Sequence, residues 1–267
     1  MEYDLRAFQL ELTDLLGLFH HYCLDNGLKY SVTFGTLLGT IRHRGFIPWD
    51  DDVDIMMFRG EYNKLIDLVT SDKDCPFQLV QSPRRYPFID LVLSKNDPHH
   101  FGAPLSLDIF PIDYMGDSFS KAKKQSKVWV KIEREETIPQ TPMKYVLRKW
   151  SSNEENPLVY LKNVAQRVHI KLHKDTYLAD LEKLETELSA RNPQRFSGVG
   201  TLSNKPFKPQ LTEYFEKTRL YPFENIQVFG PVNFDPLLQS FYGPDYMSIP
   251  KIHLQHATRS FKKTTEN

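Results

Sequence analysis

Between residues 3 and 25, apolar side chains recur at Leu5, Phe8, Leu12, Leu15, Leu16, Phe19 and Cys23. Steps of three and four place them on one face of an amphipathic helix, and Asn26-Gly27 supplies its C-terminal stop. The pattern then shortens. Tyr30–Phe34 reads as a strand, Thr36–Arg42 as a short helix, and a loop through Gly45 and Pro48 leads into a buried strand at Val53–Phe58. A helix at Glu61–Val69 and strands at Phe77–Val80, Phe88–Leu93 and Leu105–Phe110 follow. Helices and strands interleaved in this way predict helices packed on a mixed sheet, an α+β arrangement. From about 118 to 191 the pattern is helical, with breaks near Pro139, Pro142 and Pro157. Short strands and turns return in 196–267, with one helix at Pro236–Tyr242. The expected organisation is therefore a catalytic core over 1–117, a helical insertion over 118–195, and a C-terminal segment that completes the active-site region.

Composition narrows the class. The chain of 267 residues is 40% hydrophobic, enough to bury a core, and its 34 basic residues balance 34 acidic ones. Nothing in that balance marks a nucleic-acid binder. The exception is local: 121–175 holds 13 Lys or Arg against six Asp or Glu, together with Trp129 and Trp150. Such a region suits either a solvated helix face or contact with an anionic membrane surface or a phosphate-bearing acceptor. The start of the chain shows no basic stretch followed by an apolar one, and no apolar run approaches the roughly 18 residues of a membrane span. The expectation is a cytoplasmic protein, peripheral at the inner membrane face if those basic helices touch lipid. Cys23 and Cys75 have no metal-ligand spacing and read as reduced thiols.

The chemistry concentrates in Pro48-Trp49-Asp50-Asp51-Asp52-Val53-Asp54-Ile55. Alternate residues of a strand share a face, so Asp52 and Asp54 point one way while Val53 and Ile55 enter the core. Paired carboxylates converge on hard cations such as Mg²⁺ or Mn²⁺, which take oxygen ligands and act on phosphate groups. An EF-hand loop is excluded, because Ile55 stands where that loop needs glycine and the chain continues as a strand. In Leu105-Ser106-Leu107-Asp108-Ile109-Phe110, Asp108 shares the face opposite the apolar set and is the candidate third carboxylate, whereas Asp113 reads as a capping residue in the following turn. Upstream, Gly35-Thr36 opens a helix with Thr36 as N-cap, and Gly35, Gly39 and Arg42 lie along one face. Free N–H groups at a helix start and a guanidinium on an open face suit a phosphate.

These blocks resemble the LicD family. The first is Phe34-Gly35-Thr36-Leu37-Leu38-Gly39 with Arg42 and Phe46-Ile47-Pro48-Trp49-Asp50-Asp51-Asp52-Val53-Asp54. The second is Leu107-Asp108-Ile109-Phe110-Pro111-Ile112-Asp113, and the third is Tyr242-Gly243-Pro244-Asp245-Tyr246-Met247 with Ile249-Pro250. Lys251 stands where a second proline is expected. The resemblance implies a nucleotidyltransferase-like core, as in LicD phosphocholine transferases and the related fukutin-type ribitol-phosphate transferases. It implies transfer of a phosphoalcohol from CDP-choline or another CDP-alcohol to a hydroxyl of a glycan or its lipid-linked precursor.

On this reading Asp52, Asp54 and Asp108 are catalytic and bind Mg²⁺ or Mn²⁺, while Gly35, Thr36, Gly39, Arg42, Trp49 and Asp50 bind the donor. Trp49, Tyr242 and Tyr246 are candidate aromatic walls for a quaternary ammonium, and His256 is a candidate near the site. The alternatives are a nucleotidyltransferase that uses a nucleoside triphosphate, and a glycan- or nucleotide-binding protein that kept the fold without catalysis.

Overall fold

Asp4 accepts hydrogen bonds from the backbone N–H groups of Arg6 and Ala7 and so caps helix α1 (Leu5–Asp25). In this computed structural model residues 4–80, 89–93, 105–128, 191–199 and 208–249 are described, with isolated positions between 165 and 190. The apolar stripe of α1 is buried as its spacing predicts: Phe8, Leu12, Leu15, Leu16, Phe19 and Cys23 all enter the main core. Each such side chain contributes roughly 1.5–3 kcal/mol on burial. The helix ends where Gly27 adopts φ 60° and the Leu28 N–H reaches back to the Cys23 carbonyl at 2.8 Å.

Further helices among the described residues include α2 (Phe34–His43), α3 (Arg59–Ser71), the short α4 (Glu213–Glu216) and α5 (Phe234–Tyr242). Strands β1 (Ser31–Val32), β2 (Asp54–Phe58), β5 (Ser106–Gly116), β4 (Ile89–Leu93) and β3 (Phe77–Val80) form a sheet in that order. Two further strands, β6 (Phe196–Val199) and β7 (Gln210–Leu211), extend the same sheet from β5. A separate hairpin joins β8 (Thr218–Phe223) to β9 (Ile226–Pro231). β2 runs parallel to β5 and the other pairings are antiparallel, so the sheet is mixed and the protein is α+β.

Alternation along β2 and β5 sorts the two faces. Ile55, Met57, Leu107 and Ile109 join the core under α1 and α3. Met56, Phe110 and Ile112 pack on the other side with Val199, Phe215 and Leu237. Asp54 and Asp108 stand on that second face, beyond its apolar end.

Three expectations change here. The third strand candidate does not stop at Phe110 but runs to Gly116. Pro111 is tolerated because it falls after Ile109, the last residue paired with β4, and before Ile112, the first paired with β6. Asp113 is consequently not a turn cap. It is fully buried in the strand and ion-paired with Arg59, whose Nε and Nη2 donate at 2.8 and 2.7 Å. Thr36 is not the N-cap of α2 either, because the helix begins at Phe34 with Thr33 before it. Most of the basic region 118–195 lies outside the described residues, as do Trp129, Trp150, Pro250, Lys251 and His256. Residues 119–128 are helical. Among the described residues no helix is long and apolar enough to cross a membrane. Both cysteines are buried thiols that form no disulfide with each other, and Cys75 Sγ donates to the Tyr22 hydroxyl at 3.4 Å.

Candidate functional site

The acidic run sits where the loop after α2 turns into β2. Gln9 of α1, buried itself, holds that loop from below: its Nε2 donates to the Asp50 carbonyl at 2.8 Å and the Ile47 carbonyl at 3.4 Å. The Asp50 N–H closes a turn onto the Ile47 carbonyl at 2.9 Å. With the backbone pinned, Asp50, Asp51 and Asp52 each offer a carboxylate oxygen, and these oxygens lie within 4.8 Å of one another. Asp54 follows at the start of β2, its side chain buried, directly opposite Asp108 in the parallel ladder. The Asp108 N–H donates to the Val53 carbonyl at 2.9 Å, which locks the two strands at this point.

The start of α2 faces the same cluster. Thr33 donates its N–H to the Asp54 carbonyl at 3.0 Å, and the Asp54 N–H donates to Thr36 Oγ1 at 2.8 Å. The Gly35 N–H donates to the Asp54 carboxylate. The anion seated on this helix N-terminus is thus a side chain of the protein itself. Phe34 makes the approach at φ 41°, a left-handed conformation that costs a bulky residue about 1–3 kcal/mol. Its ring is held between Phe110 and Phe241, at centroid distances of 5.3 and 4.7 Å.

Crowding of like charges away from water shows in the protonation of the cluster. Burial, then Asp52 and Asp51, push the Asp50 carboxyl up to about 8. Burial raises Asp54 well above the usual carboxylate range, and Asp52, Asp108 and Asp50 add to it in that order. Oδ2 of Asp50 is buried with no hydrogen-bond partner. Oxygen donors, surplus negative charge and an unpartnered buried carboxylate oxygen all fit a hard divalent cation.

The structure sorts the remaining candidate residues by position. Asp50, expected on the donor, belongs to the carboxylate group itself. A Cβ on Gly35 would lie 2.7 Å from Asp50 Oδ2, so this glycine makes room for a carboxylate. Gly39 does not open a gap for phosphate: a Cβ there would meet the Gly45 carbonyl at 2.4 Å and the Ile47 nitrogen at 3.1 Å. It lets α2 pack on the loop that carries the aspartates. Arg42 donates through Nη1 to the carbonyls of Tyr246 and Ser248, at 2.8 and 3.2 Å, tying the third sequence block to α2.

Trp49 is partly buried against the core. Tyr246 is 8% exposed, with its hydroxyl donating to Asp235 at 2.6 Å. Tyr242 differs from both, being 45% exposed with its hydroxyl under the influence of Asp54, Asp50 and Asp52. Asp90, which no sequence motif singled out, is the ladder partner of Asp108 on β4, so the backbone row across β2, β5 and β4 reads Asp54, Asp108, Asp90. An aspartate between Ile89 and Leu91 in a strand was the available signal.

The second N–H of α2, from Gly35, thus meets Asp54 at the start of β2, with Asp52 in the loop just before it and Asp108 on the adjacent parallel strand. Residues 27–152 match the family model described as LicD/FKTN/FKRP, nucleotidyltransferase domain. Over those residues the chain is similar to the LicD family. It is 48% identical over 64 residues to the lipopolysaccharide cholinephosphotransferase LicD of Haemophilus influenzae, a stretch that is 24% of each chain. It is also 48% identical over 46 residues to an uncharacterized protein of Rickettsia prowazekii, 17% of each. The alignments therefore span a quarter or less of these relatives.

Proposed function

We propose that the protein is a phosphotransferase that moves a phosphoalcohol, phosphocholine foremost, from a CDP-linked donor to a hydroxyl of a glycan or its lipid-linked precursor. The observation that carries this reading is the convergence of Asp50, Asp52, Asp54 and Asp108 at the start of α2, with one buried carboxylate oxygen lacking a partner. The choice of alcohol follows the activity in the name of the Haemophilus relative.

Asp52, Asp54 and Asp108, with Asp50 beside them, would hold Mg²⁺ or Mn²⁺. Bound there, the ion supplies charge neutralisation for the donor diphosphate. The protein's own part is positional. The Gly35 N–H and Thr36 fix Asp54, the Gln9 amide fixes the backbone of Asp50, and the β2–β5 ladder fixes Asp108. In the reaction the acceptor hydroxyl oxygen forms a bond to the phosphorus that bears the alcohol. The phosphoanhydride bond breaks and CMP leaves with the electron pair. Asp108 takes the hydroxyl proton.

A nucleotidyltransferase acting on a nucleoside triphosphate would use the same carboxylates, and the family domain's name keeps it as the second reading. The products separate the two. Incubation with CDP-choline, Mg²⁺ and a glycan acceptor, with and without EDTA, should release CMP and add a phosphocholine mass to the acceptor only when metal is present. Pyrophosphate from a nucleoside triphosphate, with CDP-choline untouched, would replace this reading by the second.

A further inference from the structure

The carboxylates leave one neighbouring aromatic side chain without a role. Tyr242 is the last residue of α5, far along the chain from the acidic run, and it is brought there by two attachments. On one side, Phe241 packs on Phe34 at 4.7 Å and Phe34 on Phe110 at 5.3 Å, two residues past Asp108. On the other, Gly243 turns the chain at φ 89° and Arg42 grips the carbonyls of Tyr246 and Ser248. Tyr242 as a residue stays 45% exposed, although its hydroxyl lies within the influence of the acids. Burial of its hydroxyl end, then Asp54, Asp50 and Asp52, hold the phenol well above its ordinary ionisation range.

We infer that Tyr242 is the wall on which the cationic head of the transferred alcohol rests, and that it makes the site prefer a quaternary ammonium alcohol to a neutral one. This rests on the phosphocholine reading above. A trimethylammonium group offers no N–H for a carboxylate to accept, so it is recognised by aromatic surface in a field of negative charge. Two carbons and one oxygen separate its nitrogen from phosphorus, a reach of about 5 Å by ordinary bond lengths. The wall must therefore stand at the rim of the carboxylate cluster. Tyr246 is buried with its hydroxyl spent on Asp235, and Trp49 packs against the core. Tyr242 combines partial exposure with a place beside the acidic cluster.

The test is calorimetric titration of the full chain with CDP-choline and with CDP-glycerol, in Mg²⁺ and without acceptor, for wild type, Tyr242→Phe and Tyr242→Leu. Circular dichroism on each preparation verifies the fold. Wild type should bind CDP-choline the more tightly, and Tyr242→Phe should keep that preference. Tyr242→Leu should weaken CDP-choline roughly tenfold while CDP-glycerol changes by less than about threefold. Equal losses for both donors in Tyr242→Leu, or no loss for either, overturns the inference. CMP release by the same wild-type preparation separates the two levels. Turnover of CDP-choline beside an unchanged preference in Tyr242→Leu defeats the wall alone, whereas no binding or turnover of CDP-choline defeats the phosphocholine reading with it.

Discussion

Gly35 and Gly39 look interchangeable in sequence and are opposite in consequence. A methyl on Gly35 would strike the end of the Asp50 side chain, which can swing away, whereas one on Gly39 would strike loop backbone. Gly39→Ala should therefore cost about 1–3 kcal/mol, read as a lower midpoint in chemical denaturation. Gly35→Ala should leave the midpoint nearly unchanged and weaken Mn²⁺ binding, because the displaced carboxylate is Asp50.

Asp50 also sets a pH dependence. Its carboxyl is raised to about 8 from an ordinary value of 3.8, so between those limits the folded state binds more protons than the unfolded one. Stability of the metal-free protein then falls as pH rises through that window. Asp50→Asn should flatten the thermal-midpoint curve between pH 4 and 8, and a curve as steep as wild type would remove Asp50 as its origin.

At the scale of elements, legibility followed the strength of each local pattern. The stripe of α1 and the alternation in β2 were plain because one face of each is buried without exception at Leu12, Leu16, Phe19, Val53 and Ile55. The start of α2 lies two residues before the place its residues suggest, because Thr36 has the chemistry of an N-cap and Phe34 in a left-handed conformation has no sequence signal. The length of β5 was hidden by Pro111, whose tolerance depends on where β4 ends and β6 begins. Asp113 was hidden with it, since its partner Arg59 lies on another element.

That buried pair yields a sharp expectation. Arg59→Met alone should cost about 3–5 kcal/mol by stranding Asp113, and adding Asp113→Leu should recover much of the loss. Denaturant titration of the single and double variants measures it. Equal destabilisation in both would show that shape rather than charge holds this junction.

Over the whole molecule, the C-terminal third is part of the same construction as the acidic run. β6 and β7 extend the sheet, Phe223, Val228, Leu238 and Tyr246 enter the main core, and Arg42 ties 246–248 to α2. The β8–β9 turn adds a latch. Glu224, at φ 52°, accepts hydrogen bonds from the Arg6 guanidinium and from the Phe46 N–H at the base of the aspartate loop. Glu224→Ala should cost about 1–3 kcal/mol by orphaning that N–H. Arg6→Ala should cost less than about 1, since Arg6 is 55% exposed. No local pattern announced these ties, because they join residues some two hundred positions apart.

The central claim is that these carboxylates run a metal-dependent phosphoalcohol transfer. It is tested most directly by the rate of CMP release from CDP-choline in wild type, Asp52→Asn and Asp54→Asn, each with acceptor, Mg²⁺ and a matching EDTA control. The expected result is turnover in wild type that EDTA abolishes, and a loss of at least about a hundredfold in both variants with their circular dichroism spectra unchanged. Near-normal CMP release by either folded variant, or release indifferent to EDTA, would contradict it.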